Sequence, residues 1–350
     1  MDISIALILA QDGITTGAVY ALLAVGLVLV FVVTRVIFIP QGELVAFGAL
    51  TIATMQDGKI PATVWLLIAM GGATFVKDLW IALRSERGSS SGSLSGSLLA
   101  NLLAPMLVGA VASSIALKTL ALPLQVALTL AIVAPLGPMV YRLAFEPLAD
   151  ASVLVLLIVS VAVHFVALGL GLVMFGAEGV RSQPFSEARF DAGPVALTGQ
   201  GLAVVFSSLL IMLCLSVFFS RTVAGKALRA TASNRLGARL MGIKVASAGQ
   251  MAFLLAGLIG AFSGVLIGPF TTLYYDSGFL IGLKGFVGAI IGGLASYPVA
   301  AAGAVLVGLI EAYASFFASA YKEVIVFTLI VPVLAWRSLR SHSLLDEDES

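Results

Sequence analysis

The sequence is poor in charge, in histidine and in cysteine. Asp, Glu, Lys and Arg make up 11% of its 350 residues, against roughly a quarter in an average soluble domain. A single cysteine, Cys214, lies inside an apolar run and only two histidines are present, so neither a disulfide framework nor a metal site can be assembled. The sequence also lacks HExxH, a GxSxG beside a plausible base, a pair of aspartates within an apolar segment and a GxxxxGK(S/T) phosphate loop. The chain is therefore not expected to be an enzyme or to hold a cofactor. Any ATP-driven work falls to a separate subunit. The net charge of +1 gives no reason to expect a nucleic-acid partner.

Apolar residues and glycine fill the space. The chain is 60% hydrophobic with 36 glycines and a mean hydropathy of +1.11. This composition predicts an all-α, polytopic helical protein embedded in a lipid bilayer, its helices brought close by small residues. A span needs about 20 apolar residues. In order, the candidates are Ile14–Val33, Pro40–Met55, Ile60–Leu83, Leu98–Leu117, Pro123–Val140, Ser152–Phe175, Leu202–Phe219, Ala248–Gly268, Ile281–Ser296, Val299–Ala318 and Val324–Trp336. These give about 9–11 crossings, because Pro40–Met55 and Ile281–Ser296 are short enough to be re-entrant or broken. The first segment has no basic flank or cleavage site and reads as retained rather than as a signal peptide. The chain reads as one membrane domain over 1–350. Within it, Gly88–Ser97 reads as a flexible Gly/Ser linker, 176–199 as a charge-balanced external loop, and 337–350 as a solvated cytoplasmic tail.

Ser220–Val245 organises the topology. It carries Arg221, Lys226, Arg229, Arg235, Arg239 and Lys244 and no acid, the mark of a cytoplasmic loop. Arg35, Arg84, Arg87 and Arg337 fall on the same side, with the N-terminus outside and the C-terminus inside. Leu236, Leu240 and Ile243 recur at i, i+4, i+7 and predict one apolar helical stripe. Gly237 and Gly242 predict two short helical pieces joined at a glycine. The loop is either a topology signal alone or a platform for a soluble partner.

Few polar residues fall within spans. Pro40 is cheap at a helix start, and Gln41, Gly42 and Glu43 behind it either cap that helix or line a path. Glu311 is the clearest intramembrane acid, and such residues are costly enough to suggest function. Lys284 lies at a similar outward depth, so a Lys284–Glu311 contact is expected, as a structural pair or at the rim of a polar pathway. A lone histidine among apolar neighbours, His164, is expected to be packed or bonded to a backbone carbonyl. Gly257, Gly260, Gly264 and Gly268 predict a flat seam for close helix packing.

Several of these stretches stand together in one order. GAVYALLAVGLVLVF, PQGE, the Arg229–Ile243 loop, GLKGFVGAIIGGLASYPVAAAGAVLVGLIEA and YKEVIVF resemble the permeases of branched-chain amino acid ABC importers, specifically the LivH-type half of the permease pair. The resemblance covers Gly13 to Met55 and Val140 to about Leu334. PQGE matches a motif usually written NFAHGE, with Gly42 and Glu43 in common and Phe38 to Gln41 different. The resemblance makes Gln41, Gly42, Glu43, Lys284 and Glu311 pathway candidates. It also makes Arg229, Asn234, Arg235, Gly237, Arg239, Gly242 and Ile243 part of a coupling loop, over 220–247, seated on an ATPase. Ser233 and Asn234 replace an acidic pair of that loop, and Leu236 stands where the pattern has Glu, so Arg235 or Arg239 is expected to meet an acidic groove. Residues 60–120 look like an inserted pair of spans.

The resemblance further implies a multi-pass subunit of the bacterial inner membrane that moves substrate to the cytoplasm by alternating access. Its implied partners are ATP-binding cassette ATPases, a second permease (LivM-like, or a second copy) and a periplasmic substrate-binding protein. Branched-chain amino acids are the first expectation for substrate. Urea, short amides or another small solute are the alternative, and a stand-alone secondary transporter or channel is the reading outside this family.

Overall fold

The computed structural model describes residues 3–84, 91–192 and 195–335. Arg87, Arg337, the 337–350 tail and the first residues of the expected linker lie outside them. The chain runs α1 (Ile3–Thr34), α2 (Gln41–Gln56), α3 (Thr63–Arg84), α4 (Ser91–Leu98), α5 (Ala104–Ser114), α6 (Leu122–Val133), α7 (Leu136–Val140) and α8 (Val153–Phe175). After a two-stranded hairpin, β1 (Arg189–Ala192) and β2 (Val195–Thr198), come α9 (Gly199–Arg221), α10 (Val223–Ser233), α11 (Arg235–Leu240), α12 (Val245–Ile267), α13 (Ser277–Ile291), α14 (Tyr297–Phe317) and α15 (Lys322–Thr328). A π-helical segment, Leu99–Leu103, carries α4 into α5, and after α7 the chain continues as a π-helical segment, Tyr141–Phe145, and a 3-10 turn, Glu146–Leu148.

Among the described residues, eight helices are long and apolar enough to cross a membrane, which makes this a multi-pass membrane protein. They correspond to eight of the eleven expected segments. The other three are short: α2 has 16 residues, α13 has 15 and α15 has 7. At 1.5 Å per residue, α13 is about 22 Å long, well short of a hydrocarbon core of about 30 Å.

α1 is the buried axis. Its residues from Ala18 to Val30 are almost entirely covered, by α14, α12, α13 and α9. Gly13 and Gly17 explain the closeness to α14: a Cβ there would meet the Cα of Leu309 at 2.7 Å and that of Val305 at 2.9 Å. Lipid offers no hydrophobic drive between helices, so such small-residue contacts carry the packing. The glycine seam of α12 behaves as expected at Gly257, which meets Ala134, and at Gly264, which lies on Val45 and Ala49 of α2.

Two expectations are corrected, at the Gly/Ser stretch and in the basic loop. Ser91–Leu98 is helical rather than a linker. The 176–199 loop contains the β1–β2 hairpin, while the spans are helical as expected. The basic loop breaks at Asn234, not at a glycine, because Asn234 caps α11 with its side chain. The 60–120 stretch is ion-paired to the body: Lys77 reaches Glu146 at 3.3 Å, and Arg142 pairs with Asp78, which also accepts from Ser97.

Candidate functional site

Two buried polar clusters flank α13. The first forms where α2 and α13 begin. Pro40 starts α2 at no backbone cost, and Gln41 and Glu43 occupy its first turn, both about 1% exposed. Glu43 Oε1 lies 2.7 Å from His164 Nδ1, and the His164 ring stacks on Phe279 with centroids 4.5 Å apart. His164 is midway along Val153–Phe175, so this contact lies near the middle of the bilayer. The first turns of both short helices therefore meet at mid-depth. Gly42 and Gly278 are in backbone contact there, and a Cβ on Gly282 would come 2.9 Å from Gly42 Cα. Glu43 also places a carboxylate in the first turn of α2, where the helix dipole favours it.

His164 is packed, as expected, buried and stacked on Phe279. Its bond goes to a carboxylate rather than to a backbone carbonyl. A lone histidine in an apolar run gives no sign of a partner 121 residues away. Glu43 Oε2 and Gln41 Oε1 are buried without hydrogen-bond partners among the described residues, while Gln41 Nε2 donates to Leu23 O at 3.3 Å.

The second cluster lies on the other face of α13. Lys284 Nζ donates to Glu311 Oε1 at 2.6 Å and to Glu323 Oε1 at 3.1 Å, and Tyr20 Oη donates to Glu311 Oε2 at 2.7 Å. The expected Lys284–Glu311 contact is present. Glu323 and Tyr20 are additions that sequence reasoning missed. Tyr20 lies inside an apolar run, and Glu323 stands just before the last apolar segment. Glu311 also lines an open cavity of about 400 Å³ with Asp12 and Thr16.

The basic loop forms a third feature. Asn234 accepts from Gly237 N at 2.9 Å and starts α11. Gly242, at φ +81, ends it: Gly242 N donates to Arg239 O and Ile243 N to Ala238 O, both at 3.0 Å. This paired closure needs a left-handed residue, which glycine supplies without steric cost. Arg235 Nη1 donates to Ala149 O at 3.3 Å and Arg239 pairs with Asp150 at 3.3 Å. Within this chain, therefore, both arginines reach the turn before α8. Arg229 lines a groove with Phe219 and Tyr297. What α11 turns outward is apolar: Leu236 is 67% exposed, Leu240 80% and the following Met241 82%.

Residues 9–334 match the family described as "Branched-chain amino acid transport system / permease component", a match that brackets the 60–120 stretch. The chain is similar to the high-affinity branched-chain amino acid transport system permease protein LivH of Escherichia coli, with 25% identity over 92% of this chain and 91% of the relative. It is similar to BraD of Pseudomonas aeruginosa, with 24% identity over 93% and 92%. To a probable LivH of Methanocaldococcus jannaschii it is 27% identical over 55% of this chain and 63% of the relative. No solved structure matches. A multi-pass helical chain with two short helices meeting in its interior and this end-to-end match belongs to the branched-chain amino acid transport system permease family.

Proposed function

We propose that the chain is the permease subunit of an ATP-driven importer for branched-chain amino acids in a bacterial inner membrane. A periplasmic binding protein delivers the substrate, and a second permease, LivM-like or another copy, completes the pathway. ATP is bound and hydrolysed on separate ATPase subunits. The observation that carries the energy-coupling part is the outward face of α11. A six-residue helix, capped at both ends and fastened through Arg235 and Arg239 to the turn before α8, exposes Leu236, Leu240 and Met241 in a loop whose basic charge supports a cytoplasmic position. An exposed apolar cluster on a rigid element is a protein-docking surface. The fastening gives a push on α11 a route into α8, which holds His164 against Glu43.

The test is co-purification in mild detergent, with retained partners identified by mass and assayed for ATPase activity. Leu240→Asp/Met241→Asp is expected to lose the ATPase, while Arg235→Glu/Arg239→Glu weakens binding less, because the arginines already have partners in this chain. The complex is expected to survive 0.5 M salt, since apolar contacts are not screened. No ATPase under any gentle condition would move a stand-alone transporter to the front. Loss confined to the arginine variant would restore an acidic groove as the docking partner.

A further inference from the structure

A cavity of about 170 Å³ lies among α1, the α1–α2 link, α8 and α13. Leu23, Leu27, Phe38 and Leu157 form part of its wall, and α13 contributes Phe279 and Leu283 from one helical face. Gln41 is its polar member, with Oε1 buried and unpartnered. Buried side-chain acceptors are almost always paired, so a free one bordering a cavity marks where a donor is missing. We propose that this cavity is the side-chain subsite of the transport pathway, taking the branched aliphatic group of an amino acid while Gln41 Oε1 accepts an N–H of its ammonium group.

Three observations converge on this. The cavity borders the place where two short helices begin in mid-membrane, and broken helices at mid-depth are where transporters bind substrate. Its size suits the guest: an apolar cavity of about 150 Å³ admits a molecule as large as benzene, and an isobutyl group is smaller. Its chemistry selects among the substrates the sequence left open. Urea or a short amide is polar over most of its surface, and here most of its donors and acceptors would face hydrocarbon without partners. Phe279, which stacks on His164 on one side and lines the cavity on the other, connects the subsite to the Glu43–His164 contact.

The inference rests on the importer reading, and the experiment keeps the two apart. The permease, reconstituted with its ATPase and binding protein, is assayed for ATP-dependent uptake of labelled leucine and valine. The same binding protein serves every variant, so its preference cancels in the leucine-to-valine ratio. Leu283→Phe and Leu157→Phe, which narrow the cavity, are expected to lower that ratio at least fivefold. One methylene in an apolar pocket discriminates by roughly 10–200-fold. Uptake of neither amino acid by the wild type would defeat the importer reading. Robust wild-type uptake with an unmoved ratio would defeat the subsite alone. The wild type supplies a second measurement that no folding defect can obscure: a diazirine analogue of leucine, photolysed during turnover, is expected to label Leu27 or Leu283. Labelling only at other positions would overturn the proposal.

Discussion

Lys284 is one ammonium serving two carboxylates, and its replacement is the sharpest residue-scale probe. Lys284→Met leaves Glu311 and Glu323 facing each other without a cation, and breaking a buried pair in this way costs about 3–5 kcal/mol. Glu311→Gln keeps an acceptor for Tyr20 and leaves Lys284 its bond to Glu323, so a loss of about 1–2 kcal/mol is expected. Thermal unfolding in detergent should therefore rank the methionine variant as clearly less stable. The reverse order would show that Glu311, not Lys284, holds the cluster together. Transport that falls in Glu311→Gln at normal abundance would add a pathway role.

The Glu43–His164 contact behaves similarly. His164→Leu strands a carboxylate that is 2% exposed, and the protein is expected to accumulate at a small fraction of wild type. His164→Leu combined with Glu43→Gln should recover most of it, because burying a neutral amide costs less than burying an unpaired charge. A double variant no better than the single one would remove the pair from the account of stability. At this scale the sequence was informative about unusual residues and silent about partnerships. Glu43, Lys284 and Glu311 stood out as charges in apolar surroundings. Tyr20, Glu323 and His164 acquire meaning only from elements far away along the chain.

Among the elements, the crossing of α2 and α12 is set by glycine. A Cβ at Gly264 would sit against Val45 O and 2.9 Å from Ala49 N, whereas one at Gly72 on α3 would touch nothing within 4 Å. Gly264→Ala is expected to abolish monodisperse protein in fluorescence-detected gel filtration. Gly72→Ala should be neutral or stabilising by up to about 1 kcal/mol, the helix-propensity difference. Equal behaviour of the two would mean that the crossing gives way more readily than its backbone contacts imply. Hydropathy located the eight long helices, because length and apolarity suffice for that. It could not show that α2 and α13 begin against each other, since nothing local in either segment points to the other. The Asn234 break was misplaced for a different reason: helix propensity weighs glycine heavily, while a capping side chain decided the boundary.

For the whole molecule, order and spacing of several motifs were enough to suggest the family, and the match over residues 9–334 establishes it. The 60–120 stretch shows where sequence runs out. Its apolar helices were legible, but the Lys77, Asp78, Arg142 and Glu146 network that ties it to the body was not. Lys77 and Asp78 stand near the end of one apolar segment and Arg142 and Glu146 just after another, with nothing local to pair them.

The 176–199 loop is bonded to the link that leads into α13. Val180 and Leu273 exchange backbone hydrogen bonds at 2.9 Å, Ser182 N reaches Gly268 O at 3.4 Å, and Arg181 Nε reaches Pro269 O at 2.7 Å. The two segments form one strap, and the strap continues within six residues into Phe279, a wall of the proposed subsite. If a binding protein settles on this loop, as an extension of the proposed function, it takes hold of the subsite's wall at the same moment, making delivery of the cargo and opening of its berth a single event. In a background free of Cys214, a disulfide formed between Val180→Cys and Leu273→Cys is expected to leave uptake intact, because the two strands travel together. Uptake that stops on oxidation and returns on reduction would show instead that the strap must part in every cycle.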